Sequence, residues 1–478
     1  MEKILNYING EFSEPTCNLW LDNYEPATGS VYSQIPDSDE NDVENALNAA
    51  KNAFPLWKNT PAEIKFQILN RIAEKIDLLN ETLAHAESKD QGKPVWLAKN
   101  EIKRAAQNFR FFATAAMQFS SESHQTEDKA INYTLRQPIG VVACISPWNL
   151  PLYLFTWKIA PALAAGNCVI AKPSEFTPYT AFLLSQICID AGLPKGVLNI
   201  IHGLGNRVGQ AMIEHPQIKA ISFTGGTATG KKIAATAAPM FKKLSLELGG
   251  KNPNIIFEDA DLEEAVKSAV RSSFLNQGEI CLCGSRIFIE RSVYEIVKTM
   301  LVEAVIALKT GDPTKDENRV GAIVSQQHFD KVMSYLALAS EEGGEFLTGG
   351  KSIKPGGNEN GWYIEPTIIE GLAFDCRCNQ EEIFGPVVSI MPFDTEQQVL
   401  TYANSTVYGL ATTLWTQNLS RAHRMAASLE TGIVWINCWL LRDLRTPFGG
   451  MKQSGVGREG GWEAMRFFTE PKNVCIAL

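Results

Sequence analysis

The chain has 478 residues, 45% of them hydrophobic and 20% charged, with a formal net charge of −9. That length exceeds one ordinary core and, at roughly 100–200 residues per domain, predicts two or three. The acidic balance argues against nucleic acid, which needs clustered Lys and Arg, and no stretch approaches the roughly 20 uninterrupted apolar residues of a membrane span. The opening MEKILNYINGEF lacks the basic-then-apolar layout of a secretory signal, so a cytoplasmic location is expected.

In chain order, residues 41–118 read as amphipathic helices: apolar residues recur at three- and four-residue spacing through "VENALNAAKNAFPLW" and "FQILNRIAEKIDLLNETLAHAESKD". Residues 131–145 switch to the short-period, β-rich pattern of strands. Strand and helix then alternate. "GNCVIAKPS" is a strand, "YTAFLLSQICIDAGLP" a helix, "VLNIIHGLG" a strand, "NRVGQAMIEHP" a helix and "IKAISFTGG" a strand. This succession predicts a mostly parallel, doubly wound α/β sheet. A second α/β run starts near Lys251 with "NPNIIFED", "LEEAVKSAVRSSFLNQGE" and "SRIFIE", and reaches "GIVWINC". The tail "FFTEPKNVCIAL" is a terminal strand of the kind that pairs with another chain or domain. No internal repeat occurs.

Glycine turns follow two successive strands. "GLGNRVG" (203–209) could aim backbone N–H groups at a phosphate, or could simply be a tight turn. "FTGGTATGKK" (223–232) repeats the arrangement and strengthens a nucleotide reading. In "AKPSE", Lys172 and Glu175 sit at a strand end, where the carboxylate can take both ribose hydroxyls; a plain surface turn is the alternative. A carboxylate there repels a 2′-phosphate and favours NAD over NADP.

Three further residues carry possible chemistry. Glu247 stands alone in the apolar "LSLELGGKNP", where an unpaired carboxyl acquires a raised pKa and suits a general base. The alternative is an acid satisfied by backbone N–H groups. Asn149 in "CISPWNLP" is either an oxyanion donor or a turn asparagine. "NQGEICLCGSR" places Cys281 and Cys283 one residue apart. They could join Cys376 and Cys378 as metal ligands, form a disulfide, or be a nucleophile beside a bystander. The one-residue spacing is poor for zinc and for a mutual disulfide.

"ISPWN", "KPSE", "FTGG", "LELGGK", "NQGEICLCGSR", "EEIFGPV" and "PFGGMKQSGVGREG", in this order, resemble the aldehyde dehydrogenase superfamily. The resemblance spans essentially the whole chain. It implies a Rossmann-type NAD-binding domain (1–119 and 140–249), an α/β catalytic domain (250–459) and a small β oligomerisation flap (120–139 and 460–478). A homodimer or homotetramer is implied. Cys281 becomes the nucleophile, Glu247 the base that activates water on the thioester, and Asn149, with the Cys281 N–H, the oxyanion hole. No metal is implied. The cofactor is NAD. Its adenosine ribose falls to Lys172 and Glu175 with Ser174, and its pyrophosphate to Gly225, Gly226, Thr227 and Gly230. Glu382 takes the nicotinamide ribose, Phe384 the ring, and Trp148 the cofactor-side wall. Ile145, Ser146, Gly205, Gly209, Phe223, Thr224, Leu248 and Gly249 complete the expected cofactor contacts. Where many relatives have Gly-Ser, this chain has Gly225-Gly226, which removes one hydroxyl from the phosphate turn.

The loop before "PFGG" lines the pocket mouth in the family. Here it reads "CWLLRDLRTPFGG", with Arg442 and Arg445 flanking Asp443. Guanidinium groups repel a betaine-type cation and can hold a substrate carboxylate by a bidentate fork; an ion pair with Asp443 is the alternative. Arg104, on a helix facing the tunnel in the family, is a third candidate. "RDLRTPFGG" with "NQGEICLCGSR" resembles the branch that oxidises 2-hydroxymuconate or 2-aminomuconate semialdehyde. Rival readings are a broad-specificity or betaine-type aldehyde dehydrogenase, a CoA-acylating enzyme, a non-catalytic NAD-binding protein and a cysteine redox regulator. A water-activating Glu247 opposes the acylating reading, and the joint presence of Cys281, Glu247 and Asn149 opposes the non-catalytic one.

Overall fold

The computed structural model describes residues 2–478. Four helices, Glu40–Asn59, Ala62–Leu78, Asn80–Gln91 and Val95–Gln118, fill the predicted helical region. The first is fixed at its start by Asp39, whose side chain accepts from Asn41 N–H while Asp42 reaches back to the Asp39 N–H. Its apolar stripe of Val43, Ala46, Leu47 and Ala50 enters the core.

These helices pack on an eight-stranded sheet. Its centre is five parallel strands in the spatial order Lys243–Glu247, Ile218–Thr224, Val141–Ile145, Cys168–Lys172 and Leu198–Ile200. The chain enters at Val141–Ile145, winds outward to one side, then crosses back to the other. The order therefore reverses beside Val141–Ile145, and a crevice opens there at the carboxyl ends of the strands. Ile145, Lys172, Thr224 and Glu247, the last residues of four of these strands, share that edge.

A second sheet of seven strands runs in the order Glu345–Thr348, Thr367–Glu370, Val387–Phe393, Gly284–Glu290, Asn252–Ile256, Ala411–Trp415 and Ile433–Ile436. All neighbours are parallel except the first pair. The C-terminal strand Thr469–Ala477 pairs antiparallel with Ala130–Pro138 of the same chain, and Ser123–Thr126 completes a three-stranded flap.

Two stretches cross the expected domain boundaries. Gly455–Val456, assigned by sequence to the catalytic part, pairs antiparallel with Leu246 and Glu247 at the edge of the nucleotide-side sheet. The helix Gly461–Phe467, assigned to the flap, sends Ala464 and Met465 into the core of that same unit. Among the described residues no helix is long and apolar enough to cross a membrane.

Candidate active site

The segment before Cys281 owes its shape to three successive left-handed residues, Asn276 (φ 54°), Gln277 (φ 56°) and Gly278 (φ 73°). A Cβ on Gly278 would lie 2.1 Å from the Gly385 carbonyl oxygen, so only glycine fits. The Asn276 amide staples the turn by donating to the carbonyls of Asn149 (3.0 Å) and Glu279 (3.2 Å). Beyond the turn, the Asn252 amide donates to the carbonyls of Cys281 (2.7 Å) and Cys283 (2.9 Å). The Trp439 indole donates to the carbonyl of Leu282 between them at 3.0 Å. All three carbonyls from Cys281 to Cys283 thus accept from side-chain donors.

All ten cysteines are free thiols, and among the described residues no group of three or more His, Cys, Asp or Glu is arranged to hold a metal. Cys283 is buried in an apolar cluster with Leu150, Ile280 and Trp439. Cys281 instead lines two neighbouring cavities. Burial, and then the Glu382 and Glu247 carboxylates, push its thiol up to about 12, with Arg442 pulling the other way. The Asn149 side-chain amide donates to the Glu279 carbonyl at 2.8 Å through one of its two hydrogens and lines the cavity that Cys281 also lines.

Glu247 ends its strand in full burial, and neither carboxyl oxygen has a hydrogen-bond partner. The alternative of an acid satisfied by backbone N–H groups does not hold. Its pKa lies well above the carboxylate range, first through burial and then through the Glu459 charge, against Lys158 and two arginines. Gly449 makes room for it: a Cβ there would sit 2.8 Å from Glu247 Oε1. The turn after Glu247 is tied down by Ser454, whose hydroxyl donates to the Gly249 carbonyl at 2.6 Å. Nearby, Lys158 Nζ lies 2.7 Å from Glu459 Oε1, and the Ser222 hydroxyl donates to the same oxygen at 3.2 Å.

One of the two cavities, about 250 Å³, is lined by Trp148, Asn149, Thr224, Gly225, Gly226, Leu248, Gly249, Glu382 and Phe384. Glu382 is held by the Gly250 N–H at 2.8 Å, and the lack of a side chain on Gly249 admits it, since a Cβ there would lie 2.4 Å from its carboxylate. Phe384 has φ 64°, and its carbonyl accepts from His328 Nε2 at 2.6 Å. The Trp148 ring packs on both, at 4.9 Å from His328 and 5.3 Å from Phe384. The hydroxyls of Ser146, Thr224 and Thr227 are buried without partners. Gly225 lies against the Phe223 ring and Gly230 against Leu248, while a Cβ on Gly226 would meet open space.

Further out, Glu175 lines a groove of about 1280 Å³. Lys172 Nζ pairs with Glu175 at 3.2 Å and donates to the Pro173 carbonyl at 3.0 Å. Ile145 stands opposite Lys172 in the sheet register. The Ser174 hydroxyl accepts from Phe176 N–H at 3.3 Å. Gly209 passes Lys172, and Gly205 faces open space; neither lines the smaller cavity. Three orphaned hydroxyls and a glycine turn at the start of the helix Thr227–Ala237 fit a dinucleotide.

On the other side of Cys281 lies a cavity of about 480 Å³. Arg104 and Arg442 both reach its lining and converge on Tyr153, donating to its hydroxyl at 3.4 Å and 2.7 Å. Arg104 stacks over the Tyr153 ring at 4.6 Å and Arg442 over Phe448 at 4.1 Å. Arg445 corrects the sequence expectation. Its exposed side chain makes a two-pronged ion pair with Asp443, at 2.6 Å and 3.0 Å, and it does not line the cavity. A turn two residues long brings Asp443 onto its own neighbour, which sequence spacing permitted but did not decide.

Sequence reasoning missed Tyr153, the Lys158–Glu459 pair and His328. Lys158 carried a signal, being the one charge in the apolar helix Pro151–Ala164; Tyr153 and His328 carried none.

The aldehyde dehydrogenase family model matches residues 14–474. The 2-aminomuconic semialdehyde dehydrogenase of Danio rerio is 50% identical over 476 residues, covering 98% of this chain and 97% of its own length. The 2-hydroxymuconic semialdehyde dehydrogenase of Pseudomonas sp. (strain CF600) is 43% identical over 486 residues, covering 100% of both. The NAD+ complex structure of an aldehyde dehydrogenase from Bacillus cereus superposes with a TM-score of 0.97 at 37% identity, covering 100% of this chain and 97% of that one.

Proposed function

The chain belongs to the aldehyde dehydrogenase family, and from that premise we propose that it oxidises a carboxylate-bearing semialdehyde of the 2-aminomuconate or 2-hydroxymuconate type to the acid. The observation that carries the substrate class is the pair of half-buried guanidinium groups, Arg104 and Arg442. They line the same cavity as Cys281, and their hydrogen bonds run only to Tyr153. The relatives named above support the same class.

In this reading the Cys281 thiol gives up its proton to water as its sulfur attacks the aldehyde carbon and converts its carbonyl to an oxyanion. The second hydrogen of the Asn149 amide and the Cys281 N–H hold that charge. NAD, when bound, would supply the hydride acceptor that lets the carbonyl re-form, and Glu382, Thr224, Thr227, Gly225, Gly226, Lys172 and Glu175 would hold it. The product on the protein is a Cys281 thioester. Glu247 then removes a proton from water, the hydroxide adds to the thioester, and the thiolate leaves as the acid is released. The apolar walls of Leu150, Phe274 and Phe448 limit access of stray water to this point.

A cytoplasmic homodimer or homotetramer belongs to the same proposal. The exposed apolar side chains Ile131, Leu135, Ile476 and Leu478 on and beside the three-stranded flap support an oligomer contact there.

The test is NADH absorbance with a carboxylate-bearing semialdehyde, a neutral enal and betaine aldehyde. Arg442→Ala is expected to lower kcat/KM for the semialdehyde by about 10- to 100-fold, the worth of a charge-assisted hydrogen bond. The neutral enal should lose far less. Arg445→Ala should stay within about twofold for every substrate, because its exposed pair contributes little. Equal losses on the enal and the semialdehyde would leave only a general aldehyde dehydrogenase.

A further inference from the structure

The cavity leading to Cys281 carries two more arginines, Arg271 and Arg319. Their side chains are exposed, whereas those of Arg104 and Arg442 are half-buried, so they occupy its solvent end. All four share one pattern. Each guanidinium lies over an aromatic ring: Arg271 over Trp439 at 5.5 Å, Arg319 over Trp96 at 5.4 Å, Arg104 over Tyr153 at 4.6 Å and Arg442 over Phe448 at 4.1 Å. Among the described residues none is paired with a carboxylate. Arg319 donates to the Asp316 backbone carbonyl at 2.8 Å, and Arg271 makes no hydrogen bond. Elsewhere on the surface the exposed arginines Arg291, Arg377, Arg424 and Arg445 are matched to acids. Lys267 lines the same mouth but is paired with Glu264 at 3.1 Å.

On a chain of net charge −9, four unneutralised guanidinium groups along one tunnel form a local field opposite in sign to the whole. Packing over a ring holds each group while leaving N–H donors of its fork without a carboxylate partner, and it is through those donors that arginine recognises carboxylates. Of the carboxylates on the same lining, Glu101 is paired with Lys93 and Glu459 with Lys158, which leaves Glu247 as the one unpaired acid against four guanidinium groups. A low-dielectric channel with that excess of positive charge concentrates an anionic ligand at its mouth. We propose that Arg271 and Arg319 are an outer carboxylate-capture station. It draws anionic aldehydes into the tunnel and passes them to the inner pair, Arg104 and Arg442. This rests on the carboxylate-bearing substrate class proposed above.

The experiment compares kcat/KM, with NAD in excess, for a carboxylate-bearing aldehyde and a neutral enal of equal length, from low to high sodium chloride. The double variant Arg271→Gln/Arg319→Gln and the single Arg319→Gln run beside the parent. The single variant guards against disturbance of Trp439 beneath Arg271. Arg445→Gln, outside the cavity, controls for loss of a nearby charge. For the parent, kcat/KM for the anionic aldehyde should fall with salt while that for the enal stays level. The double variant should lower kcat/KM for the anion by about 5- to 20-fold through KM, flatten its salt dependence and spare the enal. Arg319→Gln should show a smaller change of the same kind. If anion preference and salt dependence match the parent in both variants while Arg442→Ala abolishes the preference, the outer station is wrong and the inner clamp stands. If Arg442→Ala also leaves the preference intact, both readings fall.

Discussion

Cys281→Ala is expected to abolish aldehyde-dependent NADH formation, with a loss of about 10⁴-fold or more, because without the sulfur no covalent acyl intermediate can form. Cys283→Ala is the telling companion. Its sulfur is packed against Leu150, Ile280 and Trp439, so its removal should cost about 1 kcal/mol of stability and leave turnover within a few-fold. Alkylation followed by peptide mass mapping separates the two independently of turnover. Label should fall on Cys281, which lines both cavities. With its thiol pushed up to about 12 by burial and two carboxylates, the thiolate fraction, and with it the labelling rate of the free protein, should rise roughly tenfold per pH unit across neutrality. Turnover surviving in Cys281→Ala but lost in Cys283→Ala would reverse the assignment.

Glu247→Gln should separate the two halves of the reaction. Attack and hydride loss need Cys281 and the oxyanion donors, whereas release of the acid needs a base. The variant should give one burst of NADH, about one equivalent per site, followed by turnover slower by about 10²- to 10⁴-fold. A thioester should be visible as an added mass on the Cys281 peptide. The pH dependence follows from the environment of the carboxyl. Its pKa is raised, so the active, ionised base is present only above that raised value, and acid release is lost as pH falls through it. The rising limb should therefore lie above the usual carboxylate range and be absent from Glu247→Gln. Glu459→Gln should shift the limb to lower pH, because the Glu459 charge is the next cause of the elevation after burial. A normal steady-state rate for Glu247→Gln, without a burst, would assign the base elsewhere.

Legibility divides along physical lines. The βαβ alternation and the amphipathic helices could be read because periodicity reports which face of an element is buried. The turns around Cys281 and Glu247 could be read because backbone geometry demands particular residues. Gly278 tolerates no Cβ against the Gly385 carbonyl, Gly449 leaves room for Glu247, and Gly249 admits Glu382. Such constraints write themselves into short motifs. Pairing across long separations leaves no local trace. Lys158 meets Glu459 across 301 positions, and Arg442 meets Tyr153 across 289. The same limit explains the boundary crossings: Gly455–Val456 joins the nucleotide-side sheet because Leu246 and Glu247 have an unpaired edge, not because of any property of its own residues.

The sequence by itself therefore determined the α/β class and the family resemblance, and it offered one cysteine, one acid and one asparagine as candidates beside an excess of arginine near the loop before Phe448. Local steric demand and periodic burial act on neighbouring residues, and both are visible along the chain. Only the tertiary structure decided which arginines line the cavity beside Cys281. Arg442 turns inward onto Tyr153 and Phe448, while Arg445, three positions on, is spent on Asp443. It alone decided that Glu247 lacks a partner, because an unsatisfied group is defined by everything that fails to reach it. And it alone gathered Arg104, Arg271, Arg319 and Arg442 from four distant segments into one channel, since electrostatic fields add in space and not along the chain.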